Sequence, residues 1–188
     1  MRDESRHVIQ VRQMDHGALL ALWDGICAGE TPGWPQGRAF EYLVLRAFEL
    51  EGAIVRYPFL VTVGREVVEE IDGAVHAAGL SAIVESKDHA GKISVEPISK
   101  LRNQLLRRPA GTVGLLFSRN GFTEPARILA QFLAPQTILL WHGHEVQLAM
   151  EKGAIIPALQ VKYRMAVETG LPDFDITKGR RYGNGHHM

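Results

Sequence analysis

Apolar and polar positions along this chain recur with two different periods, which predict helices and strands. Between residues 38 and 52, apolar side chains return every three or four positions, and this predicts an amphipathic helix that ends at Gly52. Residues 67–76 and 80–87 form short runs of apolar and charged positions, which we interpret as the two strands of a central hairpin. The nearly continuous apolar runs at 112–117 and 137–141 predict strands covered on both faces.

Further segments complete the predicted order of elements. A short strand is predicted at residues 53–57, and Asp15 is placed to cap a helix that runs to Ile26. The other predicted helices are 97–108, 123–133, 144–152 and 157–168. This order predicts an α/β fold in which helices flank both faces of a mixed central sheet.

Glycine and proline positions divide the chain into three predicted parts. Residues 29–37 contain two prolines and three glycines and interrupt regular structure, so residues 1–36 are predicted to be an N-terminal helical appendage. Residues 37–169 are predicted to form the main domain. Residues 170–188, which contain further glycines, are predicted to be a flexible tail.

Composition limits the class of protein but does not identify it. The chain has 188 residues, 46% of them hydrophobic, which suffices for one ordinary core. Its 21 basic and 21 acidic residues balance, so bulk charge does not favour strong nonspecific binding to nucleic acid, although a local basic groove remains compatible. A single cysteine, Cys27, fits a reducing compartment, and no apolar run reaches the roughly 18 residues of a membrane helix, so a cytoplasmic protein without membrane association is expected.

The predicted hairpin carries the strongest candidate chemistry. Glu85 and Lys87 are two residues apart on one strand and therefore project from the same face. The hairpin connection can bring Asp72 beside them. The alternative is a solvated face with a Glu85–Lys87 ion pair, which is the commoner role of an isolated triplet of this kind. The apolar residues that precede Glu85 favour a strand inside the sheet over a solvated edge. A charged pair on such a strand is better explained by a functional site than by a solvated face.

Two carboxylates and a lysine on one sheet face suit metal-assisted hydrolysis of a phosphodiester. Mg²⁺ prefers oxygen ligands and keeps several waters, so Asp72, Glu85 and the main-chain carbonyl of Ser86 are the predicted ligands. Mn²⁺ is expected to substitute. Lys87 is predicted to position the attacking water or to stabilise the phosphate in the transition state.

Four segments, in order, resemble the Mrr-type branch of the restriction-endonuclease-like PD-(D/E)xK nucleases. They are residues 37–44, Ile71-Asp72-Gly73, Glu85-Ser86-Lys87 and residues 117–126. The resemblance covers residues 37–152 and implies a restriction-endonuclease-like α-β-β-β-α-β core. It also implies a Mg²⁺-dependent DNA endonuclease of restriction or defence type, with Glu41 on the opening helix close to the metal.

The resemblance leaves other functions open. One alternative is a noncatalytic nuclease-like DNA-binding subunit, and another is a structure-selective nuclease of repair or junction type. Because cutting both strands needs two active sites, a homodimer is expected, with a lone nicking domain as the alternative. Targeting by a separate chain also stays open.

Several individual residues carry two interpretations each. Glu41 is either a residue of the metal site or a glutamate on the helix surface near the helix N-terminus, where the dipole favours it. Glu70 is a second-metal ligand or, more commonly, solvated, and Gln104 is a polar residue near the site or an exposed helix position. His142 and His144 flank a glycine, but no third ligand with zinc-like spacing follows. The predicted DNA contacts, or alternatively a solvated basic face, are Lys100, Arg102, Arg107 and Arg119.

Overall fold

The computed structural model describes the backbone of residues 2–181 and the side chains of residues 6–178. The helices are α1 Arg2–Arg12, α2 His16–Ala28, α3 Arg38–Leu50, α4 Val95–Leu105, α5 Glu124–Gln131, α6 Gly143–Lys152 and α7 Ile155–Thr169, followed by a 3₁₀ helix, Ile176–Arg181. The strands are β1 Ile54–Arg56, β2 Phe59–Val63, β3 Glu66–Ile71, β4 Gly73–Ala77, β5 Leu80–Lys87, β6 Thr112–Ser118 and β7 Ile138–His142.

A mixed five-stranded sheet forms the centre of the protein. Its strand order is β1-β4-β5-β6-β7, with β4 antiparallel to β1 and β5, and β5, β6 and β7 parallel to one another. A two-residue turn joins β4 to β5 at Ala78 and Gly79, whose φ angles of 51° and 77° suit the twist of a tight hairpin. The predicted α/β class with a mixed sheet flanked by helices is confirmed.

One predicted strand is wrong, and the difference matters for the site. The segment 67–76 is two strands, β3 and β4, which separate at Asp72. β3 pairs with β2 in a separate two-stranded sheet, from Phe59 opposite Ile71 to Val63 opposite Glu66. The sequence analysis missed β2, although β2 and β3 form a local hairpin that turns at Gly64 and Arg65, a signal carried by the apolar run before Gly64.

The two faces of the sheet bury different apolar clusters. One cluster joins α2, α3, α6 and α7 to strand residues such as Val84, Leu115 and Phe117. The other joins α4 and α5 to Ile83 and Leu116, as expected when successive strand residues point to opposite faces. The central strand β5 is therefore covered on both sides.

The segments outside the predicted main domain also contact this core. Asp15 caps α2 by accepting a hydrogen bond of 2.9 Å from the backbone of Ala18, and Trp23 of α2 is buried. Near the other end, the backbone of Leu140 donates to Pro172 at 3.0 Å. The boundaries at residues 36 and 169 stay a proposal, and residues 182–188 of the predicted flexible tail lie outside the described residues. In the described part of the chain, no helix has the length and apolar character to cross a bilayer.

Candidate active site

The candidate site lies where β5 ends and where the chain passes from β3 to β4. Ile83, Glu85 and Lys87 alternate with Val84 and Ser86, so the acid and the lysine share the sheet face that α4 covers. Asp72 lies at the break before β4, and its Oδ2 accepts a 2.8 Å hydrogen bond from the backbone N–H of Ser86. The structure thus brings together the residues that the hairpin pattern placed near one another.

Gly73 makes this arrangement tight. A Cβ atom there would lie 2.5 Å from Cδ2 of Leu45 on α3 and 3.1 Å from the carbonyl oxygen of Arg56 on β1. The absence of a side chain lets β4 approach α3 and β1 closely. Asp72 is therefore held near the N-terminal half of α3, the helix that carries Glu41.

A cavity of about 510 Å³ opens at this point. Glu41, Asp72, Ser86, Lys87 and Lys100 are among its lining residues. The cavity spans the end of the sheet, from α3 on one face to α4 on the other.

Glu85 is fully buried beneath two lysines. Its side chain is 0% exposed, and Nζ of Lys87 lies 2.5 Å from its Oε1. Nζ of Lys100, which comes from α4, lies 2.9 Å from both carboxylate oxygens. The Glu85–Lys87 pair of the alternative interpretation therefore forms, but around a buried carboxylate that two partly exposed lysines cover.

Burial and neighbouring negative charge perturb two acids of the site. Burial, and then the charge of Asp72, raise the pKa of Glu41 to about 8, although Arg38 opposes the rise. Burial and the charge of Glu85 raise the pKa of Asp72 to about 6, against the Ser86 N–H bond and the nearby lysines. Carboxylates that repel one another at one place are what a bound cation would stabilise.

Arg38 belongs to the site, although the sequence did not single it out. Its Nη1 donates to both oxygens of Glu41 at 2.9 Å, and its Nη2 donates to Oε1 of Glu70 at 2.9 Å. Glu41 is only 6% exposed, so it is not a glutamate of the solvated helix surface. The spacing of Arg38 and Glu41, three residues apart on a helix, is the signal that would have indicated their contact.

Gln104 and Glu70 connect α4 to the strand that leads into the site. Of the two interpretations of Gln104, the exposed helix position is excluded, because this side chain is buried and donates to the main-chain carbonyl of Glu70 at 3.1 Å. The Glu70 side chain is half-exposed and pairs with Arg38. Gln104 therefore holds the strand that leads into Asp72 against α4.

The four predicted DNA contacts lie in different surroundings. Lys100 lines the cavity, and Arg102 lies on the exposed side of α4. Arg107 pairs with Glu69, and Arg119 pairs with Asp88. Of the four, Lys100 is the one that the fold brings directly to the candidate site.

The donors at the cavity fit a hard divalent cation in kind. Asp72 and Glu85 provide carboxylate oxygens and Ser86 can add a carbonyl oxygen, while the remaining positions of Mg²⁺ would be filled by water. Ser86 also lines the cavity, and its buried hydroxyl has no hydrogen-bond partner among the described residues, so this wall of the cavity holds an unsatisfied polar atom. Within the described residues, no three His, Cys, Asp or Glu side chains group so as to hold a metal ion by themselves.

The histidines near β7 take another role. The rings of His142 and His144 lie 5.4 Å apart, and burial together with nearby Lys162 lowers the pKa of His142 to about 4. His144 contacts Asp175 at 3.2 Å. The pair lies on the path of the C-terminal segment and not at the cavity.

Comparison with protein families gives one match that covers most of the candidate domain. The model of the family Mrr_cat, described as a restriction endonuclease, matches residues 35–150, which is more than half of the chain. The matched interval begins before α3 and contains every predicted site residue. The resemblance inferred from the segments around Asp72 and Glu85 is confirmed by this match.

Two solved structures are similar to this chain at lower levels. A crystal structure of a protein of unknown function, AF1548, has 23% sequence identity and a TM-score of 0.48, covering 72% of this chain and 77% of that one. The MspJI restriction endonuclease in complex with a 27-mer oligonucleotide has 16% identity and a TM-score of 0.43. That similarity covers 81% of this chain but only 35% of the MspJI chain. No curated protein matches the sequence.

Proposed function

Because this chain belongs to the Mrr_cat restriction endonuclease family, we propose that it hydrolyses phosphodiester bonds of DNA with Mg²⁺, or with Mn²⁺ in its place. Membership of this family implies an endonuclease, and restriction-endonuclease-like domains generally use divalent metals. One observation carries the finer proposal. Asp72, Glu85 and Lys87 meet beside a 510 Å³ cavity at the end of the central strand.

Each residue of the site has a proposed role. Asp72, Glu85 and the carbonyl of Ser86 hold the ion, which supplies a bound water of lowered pKa and charge neutralisation at the phosphate. Lys87 orients the attacking water or stabilises the charge that develops on the phosphate. Glu41, which is buried at the opposite side of the cavity and held by Arg38, orients water there.

The proposed DNA contacts begin at the cavity and extend along α4. Lys100 and Arg102 contact phosphates, and Arg107, beside Glu69, and Arg119, beside Asp88, contribute further contacts. Phosphate contacts of this kind supply affinity without sequence preference. Restriction or defence is the proposed biological role, and a homodimer is the proposed assembly for cutting both strands.

Cleavage of plasmid DNA tests the proposal. The purified protein should nick or linearise supercoiled DNA with Mg²⁺ or Mn²⁺ and be inactive with excess chelator. Asp72→Ala and Lys87→Ala should each lower the rate by at least about 100-fold, since each removes a group that acts in the transition state. Arg164→Ala is the matched control, because Arg164 lies on α7 in an exposed 4.0 Å contact with Glu168. Cleavage that survives both site substitutions would refute the assignment.

One observation favours a second candidate, a noncatalytic DNA-binding subunit. Both carboxylate oxygens of Glu85 are already bound by lysines. Calorimetric titration separates the two functions, since DNA binding without any binding of Mg²⁺ or Mn²⁺ would favour the noncatalytic one. If the protein cleaves DNA, its rates on linear, branched and modified DNA separate restriction from structure-selective cleavage. Sedimentation in solution tests whether the protein is a dimer.

A further inference from the structure

We propose that Lys100 competes with the divalent cation for Glu85, so that the metal site fills only when Lys100 leaves this carboxylate. The inference rests on the proposed function, because it concerns the same metal site. It assigns to Lys100 a role in controlling access to the site, in addition to contact with DNA.

The geometry around Glu85 carries this proposal. Nζ of Lys100 lies 2.9 Å from Oε1 and 2.9 Å from Oε2, so the ammonium sits between the two oxygens of the carboxylate. A cation that accepts these oxygens as ligands would need the same position. Glu85 is 0% exposed, and it is reached past the side chains of Lys100 and Lys87.

Lys100 is better placed to move than Lys87. The Lys100 side chain is 45% exposed and the Lys87 side chain 26% exposed. Lys87 comes from the same strand as Glu85, two residues away, whereas Lys100 reaches Glu85 from α4 through a long and flexible side chain. The strand therefore fixes the contact between Lys87 and Glu85, whereas the contact between Lys100 and Glu85 depends on the conformation of the Lys100 side chain.

The displaced side chain has room to occupy. A second cavity, of about 440 Å³, adjoins the first, and Lys100, Lys87 and His89 line both. Lys92 and Ser94 continue its wall. With its side chain in the second cavity, the ammonium of Lys100 faces solvent and the proposed path of DNA. Phosphates of the substrate and an ion at Glu85 therefore both favour the conformation in which Lys100 has left Glu85.

Calorimetric titration with Mn²⁺ alone tests the competition. Lys100→Met removes the ammonium and keeps most of the side-chain volume, and it should lower the Kd for Mn²⁺ roughly tenfold, since one competing charge near the surface is lost. Lys100→Arg keeps a competing cation and should resemble the wild type. Lys92→Met is the matched control, because it removes a neighbouring charge that does not contact Glu85, and it should change the Kd less than about twofold.

The outcomes separate this proposal from the proposed function. Tighter binding by Lys100→Met alone supports the competition, and so does binding that becomes measurable only in that variant. Mn²⁺ that binds the wild type and Lys100→Met equally, or binds the variant more weakly, overturns the competition and leaves the metal site intact. No binding by either protein overturns both. Lys92→Met with the same gain as Lys100→Met shows a general effect of charge and overturns the competition.

A second measurement uses the unaltered protein. Acetylation of lysines, followed by mass spectrometry, should modify Lys100 several-fold faster when Ca²⁺ or Mn²⁺ saturates the site, because its ammonium has left the buried carboxylate. Lys152, at the exposed end of α6 and away from both cavities, provides the internal reference and should react at a constant rate. Equal reactivity of Lys100 with and without a saturating ion would overturn the proposal.

Discussion

Replacing Lys162 with methionine should destabilise the protein severely. Lys162 and Glu145 are both 0% exposed, and Nζ of Lys162 lies 2.6 Å from Oε1 of Glu145. The same ammonium donates to the carbonyl of Phe174 at 2.6 Å and lies 5.2 Å from the centre of the Trp141 ring. Lys162→Met fits the space but leaves a buried carboxylate without its counter-charge.

The expected loss follows from the burial of both partners. Breaking a buried ion pair on one side costs about 3–5 kcal/mol, because the remaining charge stays desolvated. In Lys162→Met, Glu145 keeps two backbone hydrogen-bond donors, the N–H of Ile176 at 3.0 Å and that of His142 at 2.9 Å. Because these donors still stabilise the carboxylate, we expect a loss of about 3 kcal/mol. Against a total stability of roughly 5–15 kcal/mol, this loss is a large share.

Urea unfolding followed by circular dichroism measures this loss. Lys162→Met should lower the midpoint of unfolding without a large change in slope, since the slope reflects the surface exposed on unfolding. Lys152→Met, on the exposed end of α6, is the control and should stay within about 0.5 kcal/mol of the wild type. A loss below about 1 kcal/mol for Lys162→Met would refute the reasoning, because the pair would then not be desolvated.

Two further predictions concern the candidate site. The metal-free protein should lose stability as the pH rises from about 4 to 8. In the folded state the pKa of Asp72 is about 6 and that of Glu41 about 8, above their ordinary values of 3.8 and 4.5. The folded state therefore binds these protons more tightly than the unfolded state, and its advantage is lost as the protons leave. Urea unfolding at each pH measures this loss. Glu41→Gln should flatten the dependence of stability on pH in its upper part. A free energy of unfolding that stays constant from pH 6 to 8 would contradict the prediction. Gly73→Ala should cost about 1–3 kcal/mol in the same assay, since its Cβ would lie 2.5 Å from Leu45. Gly111→Ala, whose Cβ would meet nothing within 4 Å, is the control, and equal effects of the two substitutions would show that the close packing at Gly73 does not matter.

Much of the fold was predictable because its signals are local. The period of α3, the buried runs of β6 and β7, and the cap at Asp15 all appear where the sequence indicated them. The split of the predicted strand at Asp72 was missed because the local hairpin of β2 and β3, which turns at Gly64 and Arg65, was not recognised in the sequence. The N-terminal helix α1 was predicted only as an unspecified part of the helical appendage 1–36, since its charged first residues gave no clear apolar stripe.

The site itself was predictable in part for the same reason. Glu85 and Lys87 share a face because the two-residue period of a strand is a property of the backbone, and it holds in any sheet. The position of Asp72 relative to them followed from the hairpin and from the resemblance to a nuclease family. These inferences needed only neighbours along the chain.

Tertiary packing decided the environment of those residues. Lys100 lies 15 residues from Glu85 and reaches it only because α4 packs on that face of the sheet. Glu41 and Arg38 approach from α3 on the opposite face, and the close approach at Gly73 brings them near Asp72. Residue order alone predicts which side chains share a helix or strand. The burial of a side chain, its pKa and the partners of its charge depend on how elements distant in sequence pack together, which only the tertiary structure determines.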